Sequence, residues 1–350
     1  MNGLSRRQFF ETAGAVAGAS LICLEGVQPA ASAQVSNLTL AFTEYLRFTP
    51  LATGNVRPTS VGLTWVRGPR TDMLNRALSD PAVDGGEASM LAHLLRLDRG
   101  DRSLVAVPVF LLRNFTARDL YMSKGSALTP TGLNGRRMGI YNWAASGAVW
   151  YRHLLRYFGQ DPASMKWVVG GTDQPAAVDS RASLPAYVTN APPDKSLSDL
   201  LLAGDLDAIF VPLPPAKHHP VDGPIVRVIP DFRALEQRYF TETRCYPPQH
   251  VLLLRKQTWE KAPSVGRRLI EVFDQCEARF LSDQRLYPYA TPWEIAELEE
   301  TDRVMGRDYH AHGLDRNRHA MEVFCQSAFD DGLTKRRVTV EEYFAEFLKS

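Results

Sequence analysis

Short runs rich in β-branched and aliphatic residues alternate with segments of helical periodicity along most of this chain, and that alternation restricts it to an α/β architecture. The runs LTLAFT (38–43), VGLTWV (61–66), VDGGEAS (83–89) and LVAVPVF (104–110) are separated by helical patterns around 71–79 and 90–99. Strands joined through helices pair mostly in parallel. After DLYMSK (119–124) the turn-rich GSALTPTGLNG punctuates the chain, and a second set begins with RRMGIYNW, the helical SGAVWYRHLLRYFG, MKWVVGG, LDAIFVP and IVRVIP. The strand-like QHVLLLRKQ (249–257) follows, and the rest reads as helix. The expected organisation is a first lobe over 34–124, a second over 125–248, and a return to the first lobe with C-terminal helices over 249–350. That connectivity predicts a two-lobed protein with a hinge and a helical tail.

Ahead of this pattern stands MNGLSRRQFFETAGAVAGASLICL. Arg6 and Arg7 before a modest apolar run, then Pro29 and Ala31-Ser32-Ala33, read as a twin-arginine (Tat) signal peptide over 1–33, cleaved near Ala33. The apolar segment from Ala13 to Leu24 is shorter than the roughly 20 residues that span a bilayer. Export to the periplasm is therefore expected, with no integral membrane segment after cleavage.

Cleavage removes Arg6, Arg7, Glu11 and Glu25, so the formal net charge of +1 is unchanged and no nucleic-acid footprint is expected. Cys245, Cys276 and Cys325 would remain, an odd number without regular spacing, which fits packing cysteines better than a disulfide framework.

Ligands of α/β lobes bind beyond the carboxyl ends of strands, so candidate residues are sought in those loops. In the first lobe these are Tyr45 and Arg47 after the first strand, Glu87 and Ser89 at the end of the third, and Arg113 after the fourth. Two arginines, a phenol and a hydroxyl suit a carboxylate or other planar anion. Ordinary salt bridges are the alternative for each arginine. The second lobe offers Asn142, Trp143, Ser146 at the opening of a helix, and Gly171 after a strand. A helix N-terminus favours an anion, and a plain N-cap is the alternative for Ser146.

His250, beside Pro247-Pro248 where a hinge is expected, suits either a general acid/base or a packed histidine. The pairs His218-His219 and His310-x-His312 lack a metal-ligand partner spacing, so surface or turn positions are expected and no metal site. The chain carries no GxSxG, GxxxxGK[ST], HExxH or GxGxxG.

The segments EYLRFTPLATGNVRPTSVGL, GEAS (86–89), VAVPVFLLRNF (105–115), WVVGG, LLAGDLDAIFVPLPP, QHVLLLRK and HGLDRNRHAMEVFCQSAFDDGLTKRRVTVEEYF resemble the 4,5-dihydroxyphthalate decarboxylase-like proteins. The resemblance implies a type 2 periplasmic-binding-protein fold, related to thiamine-precursor and sulfonate or nitrate binding proteins. It also implies two functions, since some members remove a carboxylate from a dihydroxylated aromatic diacid and others look like solute-binding components of uptake systems. Thr116-Ala117 stands where the family usually carries Arg-His, which together with the leader argues against decarboxylation. The leading expectation is an exported solute-binding protein that captures a small anionic, aromatic carboxylate ligand for an ABC-type transporter, without a cofactor. The alternative is a cofactor-free carboxy-lyase in which Arg113 holds a carboxylate and His250 or Tyr45 supplies a proton. A sensor subunit is a third reading.

Overall fold

Eleven strands among the described residues form two sheets, and the chain crosses between them twice. The computed structural model describes residues 36–176, 184–287 and 290–350. The signal peptide expected over 1–33, with Arg6, Arg7 and the cleavage site near Ala33, lies outside the described residues.

Sheet one contains β1 (Ser36–Phe42), β2 (Val61–Arg67), β3 (Gly85–Ser89) and β4 (Leu104–Arg113). The chain then builds sheet two from β5 (Leu120–Ser123), β6 (Arg137–Ile140), β7 (Lys166–Val169), β8 (Val188–Asn190), β9 (Ala208–Phe210) and β10 (Ile225–Arg227) before β11 (Pro248–Arg255) returns to sheet one. The orders are β2-β1-β3-β11-β4 and β10-β5-β9-β6-β7-β8. Leu120–Ser123 joins sheet two, so the first crossing falls between Arg113 and Leu120.

The helices of nine residues or more are α1 (Arg70–Ser79), α2 (Met90–Asp98), α3 (Ser146–Tyr157), α4 (Phe232–Thr243), α5 (Val265–Leu286), α6 (Glu294–Met305) and α7 (Arg318–Asp330). None of the described helices is long and apolar enough to cross a membrane.

Strand β4, LVAVPVFLLR, is buried at every residue but Leu112, which explains why it reads as a continuous apolar run rather than an alternating one. Its Pro108 is tolerated because β4 is an edge strand. β1 is parallel to β2 and β3, whereas β11 is antiparallel to both β3 and β4. Hence the ends of β1, β2, β3 and β4 and the start of β11 lie along one edge. The two crossings touch where Asn114 N–H donates to the Pro247 carbonyl at 3.0 Å.

The tail ties both layers together. Asp331, just past α7, accepts from Arg152 Nε at 2.6 Å and Arg156 Nη2 at 2.5 Å on α3. Farther on, the Tyr343 hydroxyl donates to the Met90 carbonyl at the start of α2. Arg152 also lies 4.2 Å over the Trp143 ring, and its Nη1 donates to the Trp143 carbonyl. Cys245, Cys276 and Cys325 are unpaired and buried.

Candidate functional site

The shared edge of sheet one concentrates polar groups where apolar burial would otherwise continue. Glu87, the middle residue of β3, is fully buried. Its Oε1 accepts from the Tyr45 hydroxyl at 2.5 Å and lies 2.5 Å from His250 Nδ1, while Oε2 accepts from Thr43 N–H at 3.0 Å. Strand register brings these residues together: β11 runs antiparallel to β3 with His250 opposite Ser89. The pairing of β11 with β4 shifts on both sides of His250, an irregularity of the kind that re-aims a side chain. Burial pulls the Glu87 carboxyl toward its protonated form. The His250 hydrogen bond and charge and the Tyr45 hydrogen bond outweigh burial and hold the carboxyl well below its ordinary range, at about 2. Burial and the adjacent Glu87 push the Tyr45 phenol up, so it stays a donor.

Ser89 and Ser146 meet across the two lobes, their hydroxyls 2.8 Å apart. Ser89 caps α2 by accepting from Ala92 N–H, and Ser146 Oγ accepts from Leu91 N–H at 3.1 Å. Ser146 is the first residue of α3 and Ala145 holds the capping position, so its hydroxyl reaches out of its own helix to the start of α2.

The two arginines lie at the same edge on the side of α5. Arg47 Nε is 3.1 Å from Glu277 Oε1, and its guanidinium stacks 4.7 Å from the Tyr45 ring and 4.8 Å from the Phe48 ring. Arg113 differs. It is 6% exposed, donates from Nη2 to the Ala311 carbonyl at 3.2 Å, lies 4.9 Å from the Phe110 ring and 5.8 Å from the Tyr246 ring, and forms no ion pair among the described residues. Arg113 Nε and Arg47 Nη2 are buried without hydrogen-bond partners. Burial lowers the Arg113 pKa to about 10, and the charge of Arg47 adds to the effect.

Glu277 is the hub that the sequence reading missed. It is 4% exposed, with Arg47 at 3.1 Å, His312 Nε2 at 3.2 Å and His310 Nδ1 at 3.9 Å. These groups overcome its burial and hold it at about 2. Its signal was a charged residue on the apolar face of α5, four positions after buried Phe273 and four before buried Leu281.

The expectation of surface or turn positions is corrected for His312, which is 3% exposed. Its Nδ1 accepts from Phe110 N–H at 3.1 Å, a bond that fastens the tail to β4. His310, partly buried, stacks against Tyr309, and burial lowers its pKa to about 3. Among the described residues no cluster of His, Cys, Asp or Glu has a metal-holding arrangement.

The remaining second-lobe candidates sit apart from the Glu87 chain. Asn142 Oδ1 closes a turn by accepting from Ala144 N–H at 2.8 Å. Trp143 is 2% exposed and packs edge-on against Trp167 and Tyr187. Gly171 is needed for its own loop: a Cβ there would lie 2.1 Å from the Gln174 carbonyl oxygen. Its carbonyl accepts from Leu197 N–H at 2.8 Å.

Comparison with solved structures supplies the wider context for this edge. The periplasmic aliphatic sulphonate binding protein SsuA from Escherichia coli matches with a TM-score of 0.52 at 15% identity, covering 88% of this chain and 97% of that one. The chain has the two-lobed periplasmic-binding-protein fold. In sequence it is similar to 4,5-dihydroxyphthalate decarboxylase of Comamonas testosteroni, 26% identical over 318 residues, which are 88% of this chain and 96% of the relative. A 4,5-dihydroxyphthalate decarboxylase of Pseudomonas putida is 29% identical over 185 residues, 51% of this chain and 72% of that protein. No family model matches. The resemblance read from the sequence motifs is borne out by these relatives, and the expected fold by the structural neighbour.

Proposed function

We propose that this chain is an exported solute-binding protein that captures a small anionic, aromatic carboxylate ligand between its lobes and delivers it to an ABC-type transporter. Arg113 carries the reading. A buried guanidinium without an acidic partner is costly, and a bound carboxylate would supply the missing charge and acceptors. Glu277, whose charge acts on Arg113, is already shared by Arg47 and His312. Tyr246 and Tyr45 flank the two guanidiniums with aromatic faces suited to a planar ligand. Delivery outside the cytoplasm rests on the Arg6-Arg7 leader.

Calorimetry of the mature protein with phthalate, 4,5-dihydroxyphthalate and benzoate tests this. Arg113→Ala is expected to cost about 2–5 kcal/mol in binding with the fold retained, as for a desolvated charged contact. An unchanged affinity overturns the assignment of Arg113.

A second reading, decarboxylation, is favoured by the Tyr45–Glu87–His250 chain and by the names of the two relatives. In that reaction the ring-to-carboxylate C–C bond would break, carbon dioxide would leave, and the electron pair left on the ring carbon would take a proton from His250 Nε2. Glu87 would hold the other ring nitrogen. Release of carbon dioxide from 4,5-dihydroxyphthalate over many turnovers, lost in His250→Ala, would establish the enzyme in place of the transporter component.

A further inference from the structure

A third arginine stands at the carboxyl edge of sheet one. Arg70 opens α1, three residues past the end of β2. Because β2 is parallel to β1 and β1 to β3, Arg70 emerges at the same edge as Tyr45 and Ser89. Other arginines nearby in sequence are engaged: Arg67 is 3.5 Å from Glu44, Arg47 is 3.1 Å from Glu277, and Arg76 is 2.7 Å from Asp80. Arg70 is exposed, and its side chain has neither a hydrogen bond nor an ion pair among the described residues.

The second lobe meets the first near this edge. The Tyr141 hydroxyl lies over the first turn of α3, where a Cβ on Gly147 would sit 2.8 Å from it. Gly147 follows Ser146, whose hydroxyl meets Ser89 of the first lobe. The positive charge of Arg70 acts on both Tyr45 and Tyr141, opposing the effect of burial on each phenol. The unpaired guanidinium of Arg70 thus stands at the edge of sheet one where Ser89 meets Ser146 of the second lobe.

We propose that Arg70 is a ligand-binding residue whose guanidinium meets an oxyanion group of the ligand at the rim of the crevice, and so couples occupancy to closure. The proposal rests on the binding reading above. A planar fork of donors suits a carboxylate or sulfonate, and an exposed arginine keeps its charge available until a ligand arrives. Being at the rim, it contributes less affinity than Arg113 and more dependence on the bound anion for closure.

The test is calorimetric titration of wild type, Arg70→Ala, Arg70→Lys and Arg113→Ala with 4,5-dihydroxyphthalate and phthalate, together with small-angle scattering with and without each probe. Arg70→Ala is expected to weaken binding by about tenfold at an unchanged thermal midpoint, to reduce ligand-dependent compaction, and to be partly rescued by Arg70→Lys. Affinity within about twofold of wild type, alongside a large loss in Arg113→Ala, overturns this proposal and leaves the binding reading standing. Failure of wild type to bind either probe overturns both.

Discussion

His250 Nδ1 and Tyr45 Oη converge on the same oxygen of Glu87, each at 2.5 Å, although the three residues come from β11, the loop after β1, and β3. Two donors on one buried carboxylate oxygen polarise each other and cannot be removed independently. Tyr45→Phe is expected to cost about 1.5–3 kcal/mol of stability, as for a hydrogen bond to a charged group. Combined with His250→Gln it should show an interaction energy of about 0.5–3 kcal/mol in a double-mutant cycle from urea unfolding. Strict additivity would mean the two donors do not share the carboxylate in solution.

Local pattern made sheet one legible. The strands expected at 38–43, 61–66 and 104–110 appear as β1, β2 and β4, because β-branched runs between turn residues act through neighbouring side chains. Tyr45, Glu87 and His250 were legible as candidates, but their convergence on one oxygen was not, since strand register joins positions 163 residues apart. Glu277 stayed hidden because its value lies in Arg47, 230 residues away in sequence. Ser146 was read as a helix opener, and only the meeting of two lobes shows that its hydroxyl serves α2.

Asp331 joins α7 to α3 by accepting from two arginines, and Arg152 with its carboxylate partner is almost wholly buried. Asp331→Ala would leave an uncompensated guanidinium in the interior, where Arg152 Nη2 already lacks a partner. The expected loss is about 3–5 kcal/mol. Chemical denaturation checks it, with the exposed pair Arg318–Glu341 as a control whose removal should leave the midpoint nearly unchanged. Equal effects at the two sites would show that burial of the Asp331 pair is not what matters.

The glycines that precede Glu87 are required by close backbone approach. A Cβ on Gly86 would lie 2.2 Å from the Ala41 carbonyl oxygen, and one on Gly85 would lie 2.0 Å from that of Leu253. Neither obstacle is a side chain that can turn aside. Gly86→Ala is expected to destabilise by at least about 1–3 kcal/mol and to spread β1 from β3. Thermal unfolding against Gly132→Ala, whose Cβ would meet Thr129 Oγ1 at 3.2 Å, measures the difference.

Opposed sets of buried groups predict where stability peaks with pH. Burial lowers His93 and His310 to about 3 and His153 to about 4, each from 6.5. Their folded pKa values are depressed, so the unfolded chain binds more protons, and the stabilisation present above pH 6.5 is lost as pH falls toward 3. Each contributes about 1.4 kcal/mol per pH unit within its window. Below about pH 4.5 the depressed carboxyls of Glu87 and Glu277 act in the same direction and steepen the loss. Burial instead raises Asp119 to about 8 and Glu236 to about 7, so their contribution is complete below the ordinary carboxyl range and is lost as pH rises through those values. From about pH 4.5 to 6.5 three histidines outweigh two carboxyls, and above pH 6.5 only the carboxyls titrate. Stability is therefore expected to peak near pH 6.5, to fall gently from there to about pH 4.5 where the two sets nearly cancel, and to fall steeply below that. Urea unfolding from pH 4 to 9 tests this. Glu236→Gln should flatten the alkaline limb and His93→Phe the acid limb, while a curve that rises steadily to pH 9 would contradict the upward shift of both acids.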